Sequence, residues 1–172
     1  MEVLKFENTN KGLYKVKYVD DDLVEITATY DERPRKDLLV LLARSKYLFM
    51  RVMKLNGYAP DISDRLVVTG VNVKNGRNHE EYEIMAELFT AGCMKTRKIL
   101  SYPLRPAERM YNQLTGEIMR DVNVEDYPAL MNDEDVQLME SLIVGVKGFI
   151  LGERDEEQLE LGCAGGDGDE TT

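Results

Sequence analysis

A strict alternation of apolar and polar residues constrains the fold of this chain more than any other feature. From Tyr14 to Tyr18 every second residue is apolar, with lysines between, and Leu23–Tyr30 alternates in the same way. A period of two buries one face of a strand and leaves the other in water, which is typical of antiparallel sheets. The N-terminal part therefore predicts a three-stranded meander with strands at Glu2–Glu7, Leu13–Val19 and Leu23–Tyr30.

A second group of strands is predicted further along the chain. Asn75-Gly76 is a strong hairpin signal, because both residues accept positive φ. The predicted strands are Leu66–Lys74, an alternating run over Tyr82–Leu88, and Met94–Leu100. Pairing of the last two would place basic residues opposite acidic ones, with Lys95 and Arg97 facing Glu87 and Glu83.

Three helices complete the prediction. The first is capped by Asp31, has Pro34 in its first turn and ends before Gly57. Its apolar stripe consists of Leu38, Leu41, Leu42, Leu48, Phe49, Val52 and Met53. Two C-terminal helices follow, one starting at Pro106 and one capped by Asn132 or Asp133.

The fold class is therefore α+β. We expect an antiparallel sheet of about six strands, arranged as three strands, a long helix and three strands, followed by two C-terminal helices. Residues 1–152 are predicted to form a single domain, and residues 153–172 a disordered tail rich in acidic residues and glycine.

Composition favours a soluble cytoplasmic protein, in the host cytoplasm if it is phage-encoded. No apolar run approaches the ~18 residues that span a bilayer, and the N-terminus lacks a signal-peptide pattern. The two cysteines, Cys93 and Cys163, have no metal-site spacing and are interpreted as free thiols of a reducing compartment.

The sequence argues against an enzyme and against a cofactor. His79 is the single histidine and falls in a predicted loop, so histidine-assisted nucleophiles have only one candidate base. There is no Gly-x-Ser-x-Gly, P-loop or Gly-x-Gly-x-x-Gly motif, and no Asp-x-Lys or Glu-x-Lys typical of magnesium-dependent nucleases. An enzyme using a different carboxylate arrangement stays open.

Charge is divided unevenly along the chain. Residues 117–172 contain 16 acidic and 3 basic side chains, whereas residues 1–116 carry a small positive balance. Within residues 33–54, seven basic side chains stand against a single acid, Asp37. The positive charge of this acidic protein is thus concentrated in its first predicted helix.

Spacing places much of this positive charge on one side of that helix. Separations of three and four residues, which keep side chains on one helical face, connect Arg33, Lys36, Val40, Arg44, Tyr47, Arg51 and Lys54. Basic side chains attract phosphates and an aromatic ring can stack on a base, so this basic stripe predicts a site for single-stranded nucleic acid or another anion. The other interpretation is a solvated or internally paired face, with the acidic C-terminal segment lying against it.

The acidic C-terminal segment contains a short motif. Gln158-Leu159-Glu160-Leu161 resembles the Gln-Leu-x-Leu-Phe peptide by which bacterial replication proteins bind the sliding clamp, although Gly162 replaces the aromatic residue. The resemblance implies a docking peptide built on Gln158, Leu159 and Leu161. A plain solubilising terminus, or competition with nucleic acid for the basic stripe, are the alternatives.

The layout of the chain, with its basic helix, Ser101-Tyr102-Pro103-Leu104 and Gln-Leu-x-Leu tail, resembles small phage and prophage proteins encoded among replication and recombination genes. This implies a non-enzymatic accessory protein that binds single-stranded nucleic acid or a protein of DNA metabolism. One alternative is an acidic inhibitor that mimics nucleic acid and binds a basic host-defence protein. Others are a sequestering protein for a small anionic nucleotide and a homo-oligomeric structural component.

Overall fold

A computed structural model describes residues 1–9, 11–55, 61–75, 80–90, 96–106 and 129–156 of the chain. Its main strands are β1 (Glu2–Asn8), β2 (Tyr14–Val19), β3 (Glu25–Tyr30), β4 (Leu66–Asn75), β5 (Glu80–Phe89) and β6 (Thr96–Leu100). They form one antiparallel sheet in the order β3-β2-β1-β4-β5-β6, so β1 and β4 join the two meanders. The predicted α+β class with a six-stranded antiparallel sheet is confirmed.

The helices are α1 (Lys36–Arg44), α2 (Lys46–Val52), α3 (Asp61–Arg65) and α4 (Asp133–Ile150). The prediction of one long helix is wrong, because Ser45 interrupts it. The buried Ser45 hydroxyl donates to the carbonyl oxygen of Leu42 at 2.6 Å, a local bond that competes with regular helical bonding. The N-cap of α1 is Arg35 rather than Asp31, and it makes no side-chain cap bond.

The helices α1, α2 and α4 pack on one face of the sheet and enclose the core. Phe149 of α4 meets Phe6 of β1 edge-on at 6.0 Å and Tyr30 of β3 at 5.0 Å between ring centroids. A Cβ atom on Gly145 would lie 3.0 Å from Leu38 Cδ1, so this glycine lets α1 and α4 approach closely. The two helices are thereby fixed against each other above the sheet.

The C-terminal part differs from the prediction at both of its ends. Pro106 does not start a helix but belongs to a short strand β7 (Arg105–Pro106), parallel to β8 (Leu130–Met131). The rest of that predicted helix lies outside the described residues. Arg154 is part of the packed structure rather than of a tail, since its guanidinium lies 4.0 Å from the Phe149 ring centroid and bonds Glu32 at 2.9 Å. Residues 157–172 lie outside the described residues.

The second face of the sheet carries charged side chains held by ion pairs. Glu7 on β1 accepts from Lys5 at 2.9 Å and from Lys98 of β6 at 3.0 Å, so Lys98 reaches across β4 and β5. Because two strands separate β6 from β1, the Lys98 side chain can reach Glu7 only if the sheet curls towards this face. Gly70 sits beneath the bridge, where a Cβ atom would lie 2.1 Å from the Phe6 carbonyl oxygen.

The register of β5 and β6 differs from the prediction. Lys98, rather than Lys95, lies opposite Glu87, and Arg97 lies opposite Leu88 rather than Glu83. The partner of Glu87 thus stands three residues further along the chain than predicted, and a shift by an odd number of residues moves each side chain to the other face of the sheet. Lys95 lies outside the described residues.

The turn between β2 and β3 contains an unusual backbone conformation. Asp20 Oδ1 accepts hydrogen bonds from the backbone N–H groups of Asp22 and Val24. Leu23 has φ 62°, in the left-handed region that favours glycine, although its side chain is 85% exposed and gains no burial there.

We expect Leu23→Gly to be more stable than Leu23→Ala, with a free energy of unfolding roughly 0.5–1 kcal/mol larger, because glycine adopts this φ without strain. Both variants lose the leucine side chain, so their difference isolates the backbone conformation. Urea denaturation measures it, and equal stabilities would contradict the assignment of strain.

Acid should destabilise the fold through Glu7. Burial opposes ionisation of Glu7, but hydrogen bonds and charges from Lys5 and Lys98 outweigh it and lower its pKa below 4.5. This contribution is therefore present above pH 4.5 and is lost as the pH falls through the lower folded pKa. Glu7→Gln should flatten the acid limb of the unfolding free energy, measured by urea denaturation over a series of pH values, and an unaltered acid limb would contradict this role for Glu7.

Candidate functional site

Part of the basic stripe lines a cleft. One wall of this cleft is formed by α2 and the C-terminal end of α1, and the other by the first turns of α4. Arg44, Tyr47 and Arg51 lie on one wall of this cleft, which has a volume of about 340 Å³. The opposite wall is formed by α4, with Glu134, Asp135 and Leu138. The structure thus brings together three of the predicted site residues and places carboxylates in front of them.

Arg51 is held by the protein itself. Its Nη2 atom donates to Asp135 Oδ2 at 2.7 Å and to the carbonyl oxygen of Leu130 at 3.0 Å, and its side chain is only 19% exposed. Asp135 also accepts from the backbone N–H of Asn132, which completes the capping box of α4. The Arg51–Asp135 pair therefore fixes α2 against the start of α4, and Arg51 is a structural residue in this cleft.

Arg44 and Tyr47 face outward. Arg44 is exposed and makes no ion pair within the described part of the chain, and Tyr47 is 77% exposed. Arg44 ends α1 and Tyr47 follows in α2, on either side of the break at Ser45. A cation and an aromatic face, neither of them engaged, are therefore available on one wall of the cleft.

The cleft continues along the groove between α1 and α4. A neighbouring depression of about 380 Å³ shares Arg44, Glu134 and Leu138 with the cleft and extends to Leu41 and Ser141. A ligand longer than the cleft therefore has room to extend in this direction. We refer to both depressions together as the α1–α4 groove.

At the other end of α1, the acidic C-terminal segment lies against the start of the helix. Arg35 bonds Asp37 at 2.9 Å and Glu153 at 3.6 Å. Asp155 accepts a hydrogen bond from the backbone N–H of Lys36 at 3.1 Å. Internal pairing, one of the two interpretations of the sequence, thus applies to Arg35 and to Arg51.

The remaining predicted cations lie outside the two helices. Arg33 precedes α1, and Lys54 follows α2 with φ 56°. Both are exposed, and neither has an ion pair among the described residues. The stripe is therefore a set of separate cations and not one continuous helical face, and of its cations Arg44 and Arg51 line the groove.

Several other predicted sites cannot be placed. Gln158, Leu159 and Leu161 of the docking peptide, together with His79, lie outside the described residues, as do both cysteines. Within the described ranges, no group of three or more histidine, cysteine or acidic side chains is arranged to hold a metal ion. None of the helices in these ranges is long and apolar enough to cross a membrane.

No protein family, curated protein or solved structure matches this chain. The assignment of a function therefore depends on the geometry of the α1–α4 groove and on the chemistry of its side chains.

Breaking the Arg51–Asp135 pair should destabilise the fold. We expect Arg51→Ala to lower the free energy of unfolding by roughly 2 kcal/mol, because it leaves the Asp135 carboxylate and the Leu130 carbonyl without their donor. Arg44→Ala removes the same type of side chain from the same groove and should change stability by less than about 0.5 kcal/mol. Equal losses in chemical denaturation would contradict the division between a structural and an unengaged arginine.

Proposed function

We propose that this chain is a non-enzymatic accessory protein that binds single-stranded nucleic acid in the α1–α4 groove, in DNA metabolism of the phage type. The observation that carries the proposal is the position of Arg44 and Tyr47, which face outward together without engagement by the protein's own carboxylates. Arg33, just before α1, and Lys54, just after α2, supply further exposed cations.

The side chains of the groove suit a single strand. Arg44 offers a guanidinium for a phosphate, and the ring of Tyr47 offers a face on which a base can stack. Glu134 on the opposite wall repels phosphates but accepts hydrogen bonds from the amino groups of bases. A strand would therefore run with its phosphates along α1 and α2 and its bases towards α4.

The acidic C-terminal segment has a second role in this proposal. Glu153 and Asp155 already lie against the start of α1, so carboxylates of this segment would compete with a strand that extends from the groove towards Arg35 and the backbone of Lys36. The resemblance of Gln158, Leu159 and Leu161 to a clamp-binding peptide supports recruitment to a replication or recombination protein.

Binding of a fluorescently labelled single-stranded oligonucleotide, measured by anisotropy over a series of salt concentrations, tests the proposal. Arg44→Ala should weaken binding and reduce the slope of log affinity against log salt by about 0.7, the value for one lost phosphate contact on a single strand. Tyr47→Ala should cost about 1–3 kcal/mol of binding free energy with little change in slope, because stacking involves no counterion release.

Lys11→Ala is the matched control for charge, since Lys11 is an exposed cation in the turn between β1 and β2. It should bind like the wild type. Absence of binding at low salt would refute the proposal, and equal affinity for duplex and single strand would refute its stacking component.

The second candidate function is that of an acidic inhibitor of a basic host protein. The net charge of −10 favours it, as do Asp133 and Glu134 at the start of α4, which are exposed and make no ion pair within the described residues. This alternative expects tight binding to a basic protein and no affinity for oligonucleotides. A thermal shift with small nucleotides alone would instead indicate a sequestering protein.

A further inference from the structure

We propose that two copies of this chain pair through their β3 strands and form one continuous antiparallel sheet. This inference concerns the edge of the sheet and does not depend on the function proposed for the α1–α4 groove. It follows from the chemistry of β3, from the direction of its backbone groups and from the charges beside it.

The two edges of the sheet differ in protection. β6 carries the exposed cation Arg97, which discourages pairing with another strand, and Pro103 follows shortly after it. Lys98 of the same strand is bonded to Glu7. β3 has no lysine, arginine or proline, and Glu25 is its single charged residue. Within the described part of the chain no strand pairs with the outer edge of β3, and Thr27 and Thr29 are exposed.

The hydrogen bonds of the β2–β3 turn define which backbone groups point outward. The N–H of Asp20 donates to the carbonyl oxygen of Val24 at 3.0 Å. Because hydrogen-bonded and non-bonded pairs alternate in an antiparallel ladder, Ile26, Ala28 and Tyr30 are the β3 residues that bond β2. Their neighbours Glu25, Thr27 and Thr29 therefore present unpaired N–H and C=O groups to solvent.

A twofold axis at Thr27 pairs all of these outward groups. Thr27 of one copy then lies opposite Thr27 of the second, and Glu25 lies opposite Thr29. In the same register Val24, which is 54% exposed, lies opposite Tyr30 of the other copy. A β-branched residue facing an aromatic ring is a favourable cross-strand pair, and Leu23 extends this exposed apolar end.

Charge on the second face of the sheet fits the same register. Glu25, which bonds Lys17 of its own copy at 2.8 Å, would lie beside Thr29 of the other copy. Thr29 pairs with Lys15 on β2, so Glu25 and this Lys15 would lie on one face of the sheet, two strands apart. Lys15 is exposed and has no ion pair among the described residues. The register thus places no like charges directly opposite each other and adds an exposed lysine of each copy to the surroundings of Glu25 of the other.

Light scattering during size-exclusion chromatography over a dilution series tests the proposal. We expect the wild type to reach twice the monomer mass and to dissociate on dilution. Thr27→Pro removes an outward N–H without breaking the bonds to β2, so it should give a monomer with an unchanged far-ultraviolet circular dichroism spectrum. Thr27→Val keeps the N–H and should stay dimeric.

Charged substitutions at Thr27 test the position of the twofold axis without introducing a proline. Thr27→Lys and Thr27→Glu each place like charges opposite each other, and each should raise the dissociation constant roughly ten-fold. Mixing the two variants should restore dimers that contain one copy of each. A monomeric wild type, or a dimer unaffected by these substitutions, would overturn the proposal.

Discussion

The pairing of β1 with β4 is the interaction on which the rest of the structure depends. It joins two meanders that are far apart in the sequence into one sheet. The layer of helices lies on one side of this junction and the charged bridge lies on the other. Gly70 permits it, because any side chain there would overlap the backbone of Phe6. Lys98 then crosses the junction to reach Glu7, and Phe149 covers its other side against Phe6. A single seam thus sets the positions of α1, α2 and α4, and with them the α1–α4 groove.

The architecture was predictable where local patterns decide it. Alternation in Leu13–Val19 and Leu23–Tyr30 is enough to define strands, and Asn132 caps α4 as expected. The break at Ser45 was not predictable, because apolar residues continue at helical spacing through it and the interruption comes from a hydroxyl bond to Leu42. The register predicted for β5 and β6 was wrong, with Lys98 instead of Lys95 opposite Glu87, because charge pairing alone does not fix which face is buried.

The candidate site was predictable as a set of cations but not as an arrangement. Spacing alone identifies Arg44, Tyr47 and Arg51 as neighbours, and they do line one cleft. The partner of Arg51 is Asp135, 84 residues away in sequence, so no local pattern reveals that this arginine is engaged. An acidic segment lying against the basic helix was one of two open interpretations, and the sequence could not decide between them because it indicates where α4 begins but not which helix it faces.

The unequal edges of the sheet limit how far assembly can proceed. An association through β3 is isologous, so each copy uses its unprotected edge once and presents the same edge to its mate. The strand at both ends of the enlarged sheet is then β6, where Arg97 is an exposed cation and Lys98 is bonded to Glu7. A charged edge strand discourages further pairing, so the chain can form a dimer through β3 without growing into a fibre.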